Sequence, residues 1–204
     1  MSTGRRVAFI ALAVALFLLL AGSSSPGSLV HAQSQAPAHA GLQPFTILSP
    51  DFHDGGPLPL SSEGNVGGCT GRDRAPSFFW TNVPAQTSSF ALLMNDVDAP
   101  ISGGFHHWIT YNIPATARTL HGNAPFTQGT NSANVQTYVG PCPPATGERH
   151  HYIFTLYALT IANIPQAGLT FDGVLQAISG KVVGATTIVG TFFRVPANTG
   201  MNAG

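Results

Sequence analysis

Hydrophobic positions in this chain fall in short blocks separated by proline and glycine, and most of the blocks alternate with a period of two. Pro44-Phe-Thr-Ile-Leu-Ser49 and Ser77-Phe-Phe-Trp80 have strand length and are bounded by turn clusters, Pro50 to Pro57 and Asn82-Val-Pro84. Ser89 to Asp98 predicts a longer strand that stops at Pro100. In an extended chain Phe90, Leu92, Met94, Asp96 and Asp98 share one face, so two carboxylates end an otherwise apolar row. Phe105 to Pro114 predicts a further strand, with His107, Ile109 and Tyr111 on one face and His106, Trp108 and Thr110 on the other. Tyr138 to Gly147 cannot be regular structure. Pro141, Pro143 and Pro144 remove backbone donors, while Gly140 and Gly147 permit turns that other residues resist. From His150 the chain turns aromatic and β-branched, which predicts a strand with His150, Tyr152, Phe154 and Leu156 on one face. His151, Ile153 and Tyr157 lie on the other. Asp172 is placed to cap a short helix running to about Gly184, with Leu175 and Ile178 at i, i+3, and Ala185 to Val195 predicts a closing strand. The sum is an antiparallel β architecture, sandwich or barrel-like, with one late helix.

The first 32 residues have a different character. Arg5 and Arg6 precede an unbroken apolar run from Val7 to Ala21, which is short for a membrane span and right for the core of a secretory signal. Val30-His31-Ala32 offers small residues for a cut before Gln33; the alternative is an uncleaved anchor, which would be the chain's one link to a membrane. No cysteine follows the apolar run, which disfavours a lipoprotein signal. Residues 33–43 read as a flexible linker, 44–196 as one domain and 197–204 as a disordered tail. Without residues 1–32 the chain keeps six basic residues (8 minus Arg5 and Arg6) against eight acidic ones. That balance offers no basic patch for a phosphate backbone and argues against nucleic acid. Two cysteines, Cys69 and Cys142, lie in turn-rich segments, and in an oxidising compartment they are candidates for a disulfide.

Three strand ends thus present Asp96 with Asp98, one of His106 or His107, and one of His150 or His151. Each histidine pair must split across its strand, and alternation does not say which member faces a shared pocket. As metal ligands two Asp and two His are suitable in type, but the tight H-x-H or H-x-x-x-H spacings are missing. As an acid/base pair for hydrolysis they lack an evident nucleophile, since there is no G-x-S-x-G. As a small-anion pocket, imidazoles and backbone N–H groups of the Gly140–Pro144 loop would donate to a phosphate or carboxylate. The plainest reading is that the groups satisfy one another at a sheet end; three converging strand ends favour a pocket.

Asn95-Asp-Val-Asp-Ala-Pro100, Phe105-His-His-Trp108 with Asn112-Ile-Pro114, and Tyr138-Val-Gly-Pro-Cys-Pro-Pro144 with His150-His-Tyr152 resemble the phosphatidylethanolamine-binding protein family, in its bacterial Raf-kinase-inhibitor-like branch. The resemblance runs from about Phe45 to Arg194. It implies a sandwich-like fold of two antiparallel sheets with Greek-key character and short helices. It also implies a small anion-binding pocket lined by Asp96, Asp98, His107, His150 and Tyr152, with Gly140, Pro143 and Pro144 shaping the rim. Val97 stands where that family usually has proline, which is expected to loosen the turn; Ala75 stands where serine commonly precedes the proline. The resulting expectation is an exported, non-catalytic protein, needing no cofactor, that holds a phosphate-bearing or carboxylate group such as a phosphoethanolamine headgroup. An inhibitor of an extracytoplasmic protease is the first alternative and a metal-dependent hydrolase the second.

Overall fold

The computed structural model describes residues 43–121 and 125–196. The signal segment, most of the linker and the terminal tail lie outside the described residues. Eight strands, one α-helix and a 3-10 turn (Leu60–Ser62) are present in this part: β1 (Thr46–Leu48), β2 (Phe78–Thr81), β3 (Ser89–Asp96), β4 (Phe105–Pro114), β5 (Thr119–Leu120), β6 (Thr127–Gln128), β7 (Arg149–Leu159), α1 (Phe171–Ile178) and β8 (Val182–Phe193). All strand pairing is antiparallel within two sheets, ordered β1-β2-β5 and β6-β4-β3-β7-β8.

The inner face of the larger sheet carries Phe90, Leu92 and Met94 from β3 and Tyr152, Phe154 and Leu156 from β7, all fully buried. They pack with Ile47, Phe78 and Trp80 of the smaller sheet, which is why these strands read as apolar rows. Burying one such side chain is worth roughly 1.5–3 kcal/mol, so this layer dominates the fold. The outer face carries Ala91, Leu93, Ile109 and Tyr111, covered by Val174 and Ile178 of α1. β3 is therefore buried on both sides.

The helix differs from the sequence reading at both ends, and β8 starts at Val182, ahead of the expected Ala185. The helix is capped by Thr170, whose Oγ1 accepts the Gly173 N–H at 3.2 Å, and Asp172 instead sits in the first turn, where its charge suits the helix dipole. It also ends at Ile178, not near Gly184, because Gly180 takes a left-handed φ of 71° and the β-branched pair Val182-Val183 enters β8. The two-residue strands β5 and β6 are too short for any periodicity to announce them.

Cys69 and Cys142 are joined by a disulfide across 73 residues, fastening the Gly64–Gly71 loop to the proline-rich loop before β7. Closing a loop of that length is worth on the order of 4 kcal/mol in the chain-entropy account. Replacing both cysteines by serine is expected to lower the free energy of unfolding by up to about that amount. Urea denaturation of the variant and of the oxidised parent provides the check, and an unchanged midpoint would mean that the bond merely decorates loops already fixed.

Candidate functional site

The geometry of the site starts from an irregularity in β4. Met94 pairs with Trp108, but its neighbour Asn95 pairs with His106, so His107 is an extra residue on the β4 side. Such a bulge resets the alternation. His106 turns to the outer face and stacks on Phe171 of α1, with ring centroids 3.9 Å apart and planes 6° from parallel. His107 and Trp108, although consecutive, both face inward: His107 meets Tyr152 edge-on at 5.2 Å, and Trp108 meets Tyr138 at 5.7 Å. The alternation expected from the sequence, with His107 beside Ile109 and Tyr111 and His106 beside Trp108, therefore fails at both histidines.

On β3 the expected row holds as far as Asp96, which pairs across to Tyr152 on β7. The Asp96 carboxylate accepts from His150 Nδ1 at 2.8 Å through Oδ2 and from the Asp98 N–H at 3.0 Å through Oδ1. Asp98 does not continue the row. The strand ends at Asp96, and the Asp98 carboxylate turns outward to accept both the N–H (2.6 Å) and the Nδ1 (2.8 Å) of His151. Burial alone would raise the Asp98 pKa; the hydrogen bonds and charge of His151 outweigh it and hold the carboxyl below its usual value. There are thus two carboxylate–imidazole pairs, a buried one facing inward and a half-exposed one facing out. The Val97 N–H donates to the His151 carbonyl at 3.3 Å, a bond proline could not make. This turn is tied, not loosened.

The wall opposite comes from the loop Tyr138–Pro144. Val139 offers its carbonyl to His107 Nδ1 at 2.7 Å. The Gly140 N–H donates to Asp73 Oδ1 at 2.7 Å, and the Pro141 carbonyl accepts the Gly64 N–H at 3.0 Å. Gly140 is wedged so closely that an added Cβ would lie 2.1 Å from the Ser62 carbonyl oxygen, so no side chain fits there. Pro143 is buried and its carbonyl accepts from the Arg194 guanidinium at 3.2 Å, while Pro144 is exposed. Tyr138 Oη donates to the Ser62 carbonyl at 3.1 Å. Asp73, Ser62 and Arg194 were not legible as part of this wall, because each reaches it from more than 50 residues away by a contact that leaves no local pattern.

Asp96, His107 and His150 are 4%, 5% and 6% exposed, so the cluster is nearly closed to solvent and is not an open hollow. A cavity of about 470 Å³ is lined by Asp73, Trp108 and Tyr138 but by none of Asp96, His107, His150 and Tyr152. Burial drives the His107 imidazole down to about 4, against the opposing pull of the Val139 carbonyl and the Asp96 carboxylate. Tyr152 Oη is buried beside the Asp96 carboxylate with no hydrogen bond of good geometry, and burial first, then Asp96, pushes its pKa up, so it stays a phenol. Among the described residues, no three His, Cys, Asp or Glu side chains are grouped as metal ligands.

The family sequence model described as phosphatidylethanolamine-binding protein matches residues 48–193, which span every element around this cluster. The chain belongs to the phosphatidylethanolamine-binding protein family. It is 39% identical over 166 residues to "Putative lipoprotein LppC" of Mycobacterium tuberculosis, covering 80% of this chain and 78% of that one. It is 34% identical over 163 residues to a UPF0098 protein of Aquifex aeolicus, covering 76% and 92%. The crystal structure of Escherichia coli YbcL, described as a new member of the mammalian family, superposes with a TM-score of 0.71 at 29% identity, over 76% of this chain and all of that one. Two antiparallel sheets with a short helix near the C-terminus are thus the fold of this family member as well as of that relative.

A buried neutral histidine leaves a signature in stability. Below pH 6.5 the unfolded chain protonates at this position and the folded chain does not until about pH 4, so stability falls as pH drops through that window. The expected slope from this group is at most about 1.4 kcal/mol per pH unit. Denaturant midpoints of the parent and of His107→Phe between pH ~4 and pH ~7.5 test it: the variant is expected to show a flatter profile. An equal slope in both would place the titration on other groups.

Proposed function

We propose that this member of the phosphatidylethanolamine-binding protein family acts outside the cytoplasm as a non-catalytic receptor for a phosphoryl or carboxyl group, a phospholipid headgroup included. The ligand sits at the inner faces of His107, His150 and Tyr152. The observation that carries the reading is the set of groups left without protein partners. Nδ1 of each imidazole is engaged, by Val139 or by Asp96, while Nε2 of each has no hydrogen-bond partner among the described residues. Tyr152 Oη likewise makes no hydrogen bond of good geometry in its buried position, having only the Asp96 carboxylate beside it. Polar groups arranged this way from β4 and β7 suit a ligand that completes them better than a self-satisfied sheet end. Pro143, Pro144 and Gly140 form the rim, and Asp96 orients His150. Asp98 belongs to this reading through its N–H on Asp96 and its grip on His151, not through a carboxylate in the site. Export is supported by the charged-then-apolar start of the chain and by the lipoprotein name of the mycobacterial relative.

Titration calorimetry with phosphoethanolamine tests the assignment. His107→Ala and His150→Ala should each weaken binding by about 1.5–3 kcal/mol, the usual worth of a hydrogen bond involving a charged group, with the far-ultraviolet spectrum unchanged. Unaltered affinity in both would remove these residues from the site. Tyr152→Phe offers a sharper contrast. It deletes an oxygen that makes no hydrogen bond of good geometry in the protein, so thermal stability should hold or rise while affinity for the headgroup falls. A drop in stability with no change in affinity would make Tyr152 a core residue and nothing more.

A further inference from the structure

The hydrogen-bond polarity of the cluster says in which ionic form a ligand can enter it. Val139 contributes a carbonyl, which only accepts, so the proton of His107 lies on Nδ1. The same logic applies to His150, whose Nδ1 faces the Asp96 carboxylate. In the neutral imidazoles both Nε2 atoms are then bare lone pairs, with the Asp96 carboxylate bonded to one ring and the Tyr152 phenol ring against the other. Tyr152 Oη is the one side chain of the four that can donate without first gaining a proton. The groups facing His107 are Asp96 from β3, His150 and Tyr152 from β7, His106 beside it on β4 and the Val139 carbonyl from the loop. None of these brings a fixed positive charge. Arg194 and Arg74 do not supply one: Arg194 is spent on the carbonyls of Gly68 and Pro143, and Arg74 lines the neighbouring cavity.

A fully ionised phosphomonoester presents only acceptors. Set against two lone pairs and the Asp96 carboxylate, it would be repelled on most sides. We propose that the site takes a phosphoryl or carboxyl group only together with a proton, shared between a ligand oxygen and the free Nε2 of an imidazole. The proton comes from solvent, and after its capture the contact is an N–H···O or O–H···N hydrogen bond in place of two opposed lone pairs. Burial of His107, which keeps it neutral in the empty protein, makes this uptake necessary at neutral pH. The inference rests on the anion-receptor reading above. It adds that the ligand enters with a proton, as a phosphate monoanion or an uncharged carboxylic acid, and that affinity is tied to pH by the ligand and the site jointly.

Calorimetry with methyl phosphate, which has no amine, decides the matter. The second ionisation of a phosphomonoester lies near pH ~6, so at pH ~8 the free ligand is almost entirely the dianion. Titrations at pH ~8 in buffers of contrasting ionisation enthalpy are expected to show uptake of about one proton per ligand bound, with affinity falling about tenfold per pH unit between pH ~7 and pH ~9. In His107→Gln, whose amide can donate N–H directly, uptake and slope should both shrink; if that variant does not fold, the wild-type buffer series still decides. Binding with no buffer-dependent heat overturns this proposal and leaves the anion receptor standing. No binding of methyl phosphate at any pH from about 5 to 9 overturns the receptor reading as well. Binding of ethanolamine without methyl phosphate would make the lone pairs a cage for an ammonium group and overturn both.

Discussion

One inserted residue in β4 sets the site. Because His107 has no partner on β3, the strand places two consecutive side chains, His107 and Trp108, against the inner core and still returns Ile109 and Tyr111 to the outer one. An unbulged strand would put His107 on the face of α1, where His106 now stacks on Phe171. The imidazole would then be separated from Asp96 and Tyr152 by the thickness of the sheet. The bulge lies at the end of β4 that meets the loops, where the sheet no longer needs strict alternation to fill the core. A shift in register there costs little apolar burial and re-aims one polar side chain.

Around that residue the fold gives each imidazole one internal partner and leaves its second nitrogen free. The buried pair Asp96–His150 uses both carboxylate oxygens and one ring nitrogen. His107 spends one nitrogen on Val139. Burying these groups unpaired would be costly. The outer pair, Asp98–His151, serves another end. Together with the Val97–His151 backbone bond it pins the turn after β3 to β7 and so fixes where Asp96 stands. The rim loop is held from three sides, by the disulfide, by Asp73 on Gly140 and by Arg194 on Pro143. A loop with four prolines and glycines between residues 140 and 144 has few internal hydrogen bonds of its own, so its shape is imposed from outside.

Much of this was written locally. Phe105 to Pro114 emerges as β4 with the boundaries its pattern announced, and the row Phe90, Leu92, Met94, Asp96 faces one way because nothing interrupts period two on β3. The same holds for His150, Tyr152, Phe154 and Leu156 on β7. Alternation and turn chemistry act between neighbours in the chain, and so the sequence carried the strands, the antiparallel β architecture and the common face of His150 and Tyr152, while the choice of His150 over His151 came from the family resemblance. What the neighbours cannot encode is the phase of one strand against another. The bulge at His107, the outward turn of Asp98, the Thr170 cap in place of Asp172 and the Asp73–Gly140 bond all arise from contacts between distant segments. Their energies enter only after the chain has closed on itself, and only the tertiary structure decided them.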